Sequence, residues 1–205
     1  MSNGNKVFWD KWASRYDRTM SGSQNTYDFI IREMKKTLDR DMTVLELACG
    51  TGLISEKIVG NVKMLEATDF SEDMIRKAKE KIHSVRLHFS VQDATNLPYA
   101  PETFDAVIIS NALHIMPSPD KALSGIARVL KPNGILIAPT FTMADTFIGR
   151  MQMRIMELSG FKVYNKWTSN EYLRYLSSNG FSVTKSYTVG KAAKLTYAEA
   201  NKINK

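Results

Sequence analysis

The sequence predicts an α/β protein built on a mostly parallel sheet with helices on both faces. Apolar strand patterns alternate with amphipathic helical patterns over almost a hundred residues. The first strand pattern, "VLELAC", runs into a glycine pair and then a helix, which is where open α/β folds bind nucleotide-like ligands. Parallel strands joined by helices need right-handed crossovers, and such crossovers place helices on both sides of the sheet.

Strand and helix patterns follow one another regularly through the middle of the chain. The strand patterns cover residues 43–49, 62–69, 85–93, 104–113 and 135–140, and the helical patterns cover 52–60, 72–82 and 120–130. Ser71 is expected to cap the second helix because its hydroxyl can accept from first-turn amides. Ser118 and Pro119 are expected at the N-cap and first position of the third helix, and "KPNG" (131–134) is expected to form a turn.

The two ends of the chain differ from this middle. Residues 5–39 contain amphipathic helical stretches, and residues 141–167 have a mostly helical pattern with several methionines. A helix with a Ser/Thr cap and an Asn-Gly stop follows, and then two weaker strand patterns at 181–189 and 193–200. We expect one domain with four parts, namely a helical cap (1–40), a cofactor-binding core (41–140), a helical lid (141–167) and a C-terminal helix with strands (168–205).

Composition favours a cytoplasmic chain. Cys49 is the sole cysteine, so a disulfide framework is not expected, and no stretch has the apolar length of a signal peptide or a membrane span. The net charge of +7 divides into +3 for residues 1–40, −2 for 41–140 and +6 for 141–205. The excess positive charge either lies on ordinary solvated helix faces, or it helps to bind an anionic substrate or an acidic partner surface.

Several ordered motifs resemble the class I S-adenosylmethionine-dependent methyltransferases. "VLELACGTG" (44–52) resembles their first motif, and it precedes "ATDFSEDMI", "QDATNLP", "SNALHIM" and "ARVLKPNGILI" in the family's order. The N-terminal "FWDKWASRYD" is similar to the branch that includes quinone-biosynthesis and other small-molecule methyltransferases. The resemblance implies a Rossmann-like, seven-stranded sheet whose last strand is antiparallel. It also implies S-adenosylmethionine as the cofactor and S-adenosylhomocysteine as its product.

The resemblance places the methionine part of the cofactor against the first motif. Gly50 and Gly52 lack Cβ atoms, so their backbone can adopt unusual dihedrals and approach a ligand closely. In the family this turn wraps the methionine moiety, Glu46 matches the leading acid, and Ala48 stands where a first glycine is usual. Tyr16 either folds over the site and reaches the methionine carboxylate, as in the family, or packs as an ordinary aromatic.

Asp69 is the candidate residue for binding the ribose of the cofactor. It ends the second strand pattern 17 residues after Gly52, where a carboxylate can accept both ribose hydroxyls. Dinucleotide folds use the same device at a similar spacing, so a nicotinamide-linked oxidoreductase is an alternative. Ser55 replaces the last Gly or Ala of the dinucleotide fingerprint, which favours a cofactor without a pyrophosphate.

The motifs "QDATNLP" and "ATDFSEDMI" imply the adenine site. Asp93 matches the acid that accepts from the adenine amino group in the family, with the Ala94 amide beside it. Phe70, Met74 and Leu97 either wall the adenine ring or pack in the core.

Asn111 and His114 follow the fourth strand pattern, at the carboxyl edge of the sheet where open α/β folds place their ligands. Asn111 is a candidate cofactor contact. His114 matches the first histidine of a common "L-H-H" stretch, and its imidazole either orients or deprotonates a substrate, or caps a helix and fills space. The spacing of the three histidines indicates no chelate, so no metal is expected.

The acceptor is narrowed mainly by exclusion. Family members that methylate nucleic-acid bases or glutamine usually carry a Pro-Pro-aromatic stretch after the fourth strand, and arsenite methylation uses several cysteines. Because neither feature is present, we expect a small organic acceptor and no nucleic acid. Basic flanks around the Met-rich 141–167 segment make an acidic amphiphile a candidate. A non-catalytic S-adenosylmethionine-binding or scaffold protein is the alternative, and the oligomeric state is left open.

Overall fold

The computed structural model describes residues 24–158, 162–191 and 193–203. Within these residues the centre of the molecule is one sheet. Its strands are β1 (Thr43–Leu47), β2 (Met64–Asp69), β3 (Leu87–Val91), β4 (Phe104–Ile109), β5 (Leu130–Ile137), β6 (Thr140–Phe141), β7 (Phe181–Val189) and β8 (Leu195–Lys202). Their order is β3-β2-β1-β4-β5-β8-β6, and β7 pairs with β8.

The sheet has the predicted direction of its strands. β1 is parallel to β2 and β4, β2 is parallel to β3, and β4 is parallel to β5. β8 is antiparallel to β5, to β6 and to β7. The prediction of a mostly parallel sheet with an antiparallel last strand is confirmed. The described residues contain an eighth strand in addition to the seven expected. It is the two-residue β6, which is too short to be predicted from a sequence pattern.

Six α-helices connect or flank these strands in the described residues. They are α1 (Gln24–Thr37), α2 (Leu53–Ile58), α3 (Glu72–Lys81), α4 (Pro119–Val129), α5 (Phe147–Leu158) and α6 (Ser169–Ser178). Ser71 caps α3 as predicted, since its hydroxyl accepts from the Met74 amide at 3.2 Å. Thr168 and Glu171 form a reciprocal capping box at the start of α6. Ser118 is the N-cap of α4, but its side chain makes no capping hydrogen bond.

The sheet has a hydrophobic core on each face because successive side chains of a strand point in opposite directions. Val44 joins the cluster beneath α1, α2 and α3, whereas its neighbour Leu45 joins the cluster beneath α4 and α6. Burying each such side chain contributes about 1.5–3 kcal/mol. The two clusters confirm helices on both faces.

β5 differs from its prediction at "KPNG". These residues were expected to be a turn before the strand, and instead they lie inside β5. The pairing explains the difference: β4 advances from Phe104 to Ala106 while β5 advances from Leu130 to Ile135. The extra residues bulge outward without ending the strand.

The segment 141–167 is helical only in part. A 3₁₀ turn (Met143–Asp145) precedes α5, and residues 162–167 are not helical. None of the helices in the described part of the chain has the length and apolarity that a bilayer span requires. The cytoplasmic location and the four-part domain description stay predictions.

Charged side chains fix α1 against the C-terminal strands. Lys185 on β7 lies 3.2 Å from the Glu33 carboxylate and 3.1 Å from the Glu199 carboxylate. The hydrogen bond from Lys36 and the nearby Lys185 hold the pKa of Glu33 below its usual value. This network sets the position of α1, and α1 carries Tyr27 to the carboxyl edge of the sheet.

Candidate cofactor and acceptor site

The turn between β1 and α2 depends on three residues with left-handed backbone. Ala48, Gly50 and Gly52 have φ angles of +55°, +56° and +81°. A Cβ added to Gly52 would also lie 2.5 Å from the Ile82 Cδ1 atom. A non-glycine residue in this region costs about 1–2 kcal/mol, which is why a glycine is usual where this chain has Ala48. The turn therefore has the unusual backbone dihedrals expected from the glycine pair.

Asp69 connects the turn after β1 to the start of α3. One carboxylate oxygen accepts from the Gly50 amide at 2.9 Å, and the other accepts from the Ser71 amide at 2.9 Å. The side chain is therefore held in a fixed orientation at the carboxyl end of β2, next to the glycine turn. Its contact with a ribose stays a prediction.

Glu46 is buried under the same turn. The Ser55 hydroxyl donates to its carboxylate at 2.5 Å. Burial, opposed by this hydrogen bond and assisted by the nearby charge of Asp69, raises the pKa of Glu46 to about 8. The carboxyl is therefore mostly protonated at neutral pH. In the sequence Ser55 is visible only as a departure from a glycine fingerprint, and no local pattern indicates that it is the partner of Glu46.

The end of β4 carries two buried polar atoms that lack partners. The Asn111 amide nitrogen donates to the Tyr27 hydroxyl at 3.2 Å, but the Asn111 Oδ1 and the Ser110 Oγ atoms have no hydrogen-bond partner in the described structure. Leaving such an atom unsatisfied costs about 1–3 kcal/mol. Orphaned atoms of this kind indicate a place for a polar ligand or water. Ser110 and Tyr27 are additional candidate site residues, which the sequence did not indicate.

The predicted adenine site is only partly open to a ligand. The Asp93 Oδ1 atom accepts from the Thr95 amide at 2.9 Å and from the Thr95 hydroxyl at 2.8 Å. Ala94 and Leu97 are buried in the cluster beneath α4, and Met74 is 2% exposed. Core packing is therefore observed for Ala94 and Leu97. Phe70 is half-buried at the start of the loop before α3.

The loop after β3 lies beside the end of β2. The backbone amide of Gln92 donates to the Asp69 carbonyl at 3.0 Å, so the two predicted acids, Asp69 and Asp93, belong to neighbouring strand ends. Tyr16, the other predicted cofactor contact, lies outside the described residues. The structure thus brings together the candidates from β1, β2, β3 and β4, at the edge where the topology predicts a ligand.

His114 lies in a 3₁₀ turn (Leu113–Ile115) after β4 and is buried. Its Nδ1 atom is 3.0 Å from the Thr140 hydroxyl, and its backbone carbonyl accepts from the amides of Tyr164 and Asn165. Burial lowers the pKa of the imidazole to about 4, so the ring is neutral at physiological pH. A neutral ring can orient an acceptor through a hydrogen bond, but it is a weak base.

Two cavities lie near α5, and the smaller one contacts His114. A small cavity of about 10 Å³ lies against His114, Phe141 and Trp167, and it shares Met153 and Lys166 with its larger neighbour. The larger cavity has a volume of about 350 Å³. Its wall consists of apolar and basic side chains together with one alanine: Ala144, Phe147, Arg150, Met151, Met153, Arg154 and Lys166. This arrangement suits a ligand with an apolar body and a negative group.

The strand order, the glycine turn and the acids at neighbouring strand ends define an α/β protein with a nucleoside-cofactor site at the switch point between β1 and β4. Comparison with known proteins identifies the class. The methyltransferase domain family matches residues 45–138. The demethylmenaquinone methyltransferase of Clavibacter sepedonicus is 32% identical over 177 residues, which are 84% of this chain and 69% of that protein. The chain belongs to the class I S-adenosylmethionine-dependent methyltransferases, in the branch that includes the enzymes of quinone biosynthesis.

Other relatives agree with this assignment. The ubiquinone/menaquinone biosynthesis C-methyltransferase UbiE of Escherichia coli O1:K1 is 36% identical over 110 residues, which are 50% of this chain and 44% of that protein. A Haloferax volcanii methyltransferase, solved in complex with the Trm112 methyltransferase activator, has a TM-score of 0.81 at 18% identity. The superposition covers 96% of this chain and 98% of that chain. DhpI, solved with S-adenosylhomocysteine, has a TM-score of 0.76 at 20% identity, with 98% and 97% covered. These likenesses show the fold, and the predicted enzyme class and cofactor are confirmed.

Proposed function

We propose that this methyltransferase transfers a methyl group to a small organic amphiphile that carries an acidic group. The observation that carries the proposal is the cavity beside α5, where apolar walls meet Arg150, Arg154 and Lys166. The name of the Clavibacter relative describes a quinone-type acceptor for that protein, which agrees with an apolar body here. The cations of the cavity would pair with a negative group on that body.

The residues at the strand ends fit the cofactor. The left-handed turn at Gly50 and Gly52 lets the backbone approach the methionine moiety, and Asp69 is oriented to accept from the ribose hydroxyls. The unpartnered Asn111 Oδ1 and Ser110 Oγ atoms offer hydrogen bonds to a polar ligand. When bound, S-adenosylmethionine supplies a methyl group already activated by its sulfonium.

The remaining cofactor roles follow the family resemblance. Asp93 and the Ala94 amide would bind the adenine edge, and Phe70 and Met74 would contact the ring. Glu46 would support the methionine end through the turn that it underlies, and its protonated state at neutral pH means that it does so mainly by hydrogen bonding.

The protein's own contribution to the reaction is mainly positioning. Holding the acceptor atom in line with the transferred methyl and excluding water can supply much of the rate enhancement. His114 is a positioning residue in this proposal: its neutral ring, held by Thr140, lines the small cavity, which has room for about one water, and would orient the acceptor through that water. An ionisable acceptor close to Lys166 and Arg154 would lose its own proton more readily, since nearby cations stabilise the anion.

The cofactor half of the proposal is tested by calorimetry with S-adenosylhomocysteine. Asp69→Asn should raise the dissociation constant by at least about tenfold, because one charge-assisted hydrogen bond contributes about 1.5–3 kcal/mol. Asp73→Asn, which alters an acid in the first turn of α3 that pairs with Arg76, is the matched control and should leave the dissociation constant unchanged. Equal affinities for wild type and Asp69→Asn, with both proteins folded, would contradict the role of Asp69.

The acceptor half is tested with a matched pair of compounds, a hydroxylated aromatic acid with an alkyl tail and its methyl ester. Lys166→Gln should raise the KM for the acid by about tenfold and leave that for the ester unchanged, because only the acid carries the charge. Lys79→Gln, remote from the cavity, is the control variant. An equal effect on acid and ester would contradict the charged contact. Binding of S-adenosylhomocysteine with no methyl transfer to either compound would instead support the non-catalytic alternative.

A further inference from the structure

Helix α5 exposes a stripe of large apolar side chains to solvent. Phe147 is 70% exposed, Ile155 is 60% exposed and Leu158 is 88% exposed. Ile148 and Met151 are exposed on the same side, and at 100° per residue the five positions fall within an arc of about 100°. We call these five residues the outer stripe. Exposed apolar surfaces of this size and continuity mark interaction sites.

The opposite side of α5 already packs against the protein. Met153 is 5% exposed, and a Cβ added to Gly149 would lie 2.2 Å from the Met143 carbonyl oxygen. The helix therefore has one apolar side that anchors it and a second apolar side that faces outward. The outer stripe is not needed to hold the helix on the body of the molecule, so its exposure requires another explanation.

Basic side chains border the outer stripe. Arg150 and Arg154 lie on one flank of α5, and Lys162 and Lys166 are exposed in the segment that follows. Lys166 pairs with Glu157 at 2.7 Å, whereas neither arginine forms an ion pair with a carboxylate of the described residues. Residues 141–205 as a whole carry a net charge of +6. The border, which also includes Glu157, is therefore net cationic.

We propose that the outer stripe of α5 docks this protein on an anionic lipid bilayer, with the helix lying in the plane of the interface. An apolar face of Phe, Ile, Met and Leu flanked by arginines is the composition of helices that bind at the lipid headgroup level. The apolar side chains would enter the acyl boundary while the arginines pair with lipid phosphates. The cavity lined by Met151 and Arg154 would then open directly at the membrane surface.

The composition and shape of the stripe favour a lipid surface over a protein partner. Its side chains stand on the convex outside of a helix, and of the five only Phe147 and Met151 also line the cavity beside it. Tyrosine and tryptophan, which are frequent anchors of protein interfaces, are absent from the five stripe positions. The cations lie at the border, where phosphates of a bilayer would meet them.

Vesicle co-sedimentation of the full chain tests the proposal and does not depend on the acceptor. The protein should sediment with vesicles of phosphatidylcholine and phosphatidylglycerol, and much less with phosphatidylcholine alone. Arg154→Gln should weaken the partition by about fivefold, the effect of removing one basic residue from an anionic surface. The double variant Ile155→Ser and Leu158→Ser should weaken it by at least about tenfold, because two apolar side chains lose their burial.

Val85→Ser and Lys79→Gln are the matched controls, because Val85 is 97% exposed and both residues lie away from α5. Neither change should affect sedimentation. The outer-stripe variants should still bind S-adenosylhomocysteine, which shows that they are folded. Equal sedimentation of wild type and the double variant would overturn the proposal, as would absence of binding to anionic vesicles. A wild-type dimer in light scattering that the double variant abolishes, without vesicle binding, would assign the stripe to a second copy of the chain instead.

Discussion

The buried carboxyl of Glu46 makes the stability of the fold depend on pH in a way that can be measured. The usual pKa of a glutamic acid is 4.5, and in the folded protein that of Glu46 is about 8, chiefly because of burial. The folded state thus binds the proton more tightly than the unfolded state. The stability from the protonated carboxyl is fully present below pH 4.5 and is lost as the pH rises to 8.

The size of the effect follows from the two pKa values. Stability falls by about 1.4 kcal/mol for each pH unit inside this window, so the whole loss is on the order of 4–5 kcal/mol. Glu46→Gln removes the titrating proton and keeps an amide oxygen that can accept from Ser55. The difference in stability between the variant and wild type should therefore be constant below the window, and the variant should gain stability relative to wild type as the pH rises through it.

Urea unfolding at several pH values between 4.5 and 8 measures this difference. Glu56→Gln is the matched control, because Glu56 lies on α2 close to Ser55 but is exposed and pairs with Lys57. Its offset from wild type should not vary strongly with pH. If the curves for Glu46→Gln and wild type run parallel across the window, the burial argument for Glu46 is wrong.

Three other substitutions test separate features, each by urea unfolding. Burial lowers the pKa of His114 from 6.5 to about 4, so the stability of wild type relative to His114→Gln should fall by about 3 kcal/mol as the pH falls from 6.5 to 4, and a constant difference between the two proteins would contradict this. Gly52→Ala should cost at least about 2 kcal/mol, since the new methyl meets Ile82 at a left-handed φ, and a neutral result would mean that the turn relaxes freely. Thr168→Ala should cost about 1 kcal/mol by removing the capping box with Glu171, and a loss well below that would show that the cap is not needed.

Local signals allowed most of the central fold to be predicted from the sequence. The apolar runs around Val44 and Val107 form buried parallel strands, and Ser71 and Thr168 cap α3 and α6. The proximity of Asp69 to the glycine turn also followed from the sequence, because parallel strands end at the same edge of a sheet. Period, caps and turn residues act over a few neighbours, so they can be recognised in the chain alone.

The features that escaped prediction depend on distant contacts. Tyr27 and Asn111 are 84 residues apart, and no local pattern marks them as partners. The unpartnered Ser110 hydroxyl and the pKa of Glu46 depend on which groups surround them after folding. The "KPNG" residues have strong turn propensity, but pairing with β4 on both sides keeps them within β5 as a bulge.

The place of β8 in the sheet has a consequence for synthesis of the protein. β8 lies between β5 and the β6 and β7 strands, and Leu195–Ala200 are all buried there. Until residues 195–202 have left the ribosome, the backbone N–H and C=O groups on this edge of Ile135–Ile137 have no partner strand. Chains that lack β8 therefore present an open edge on which another strand can add.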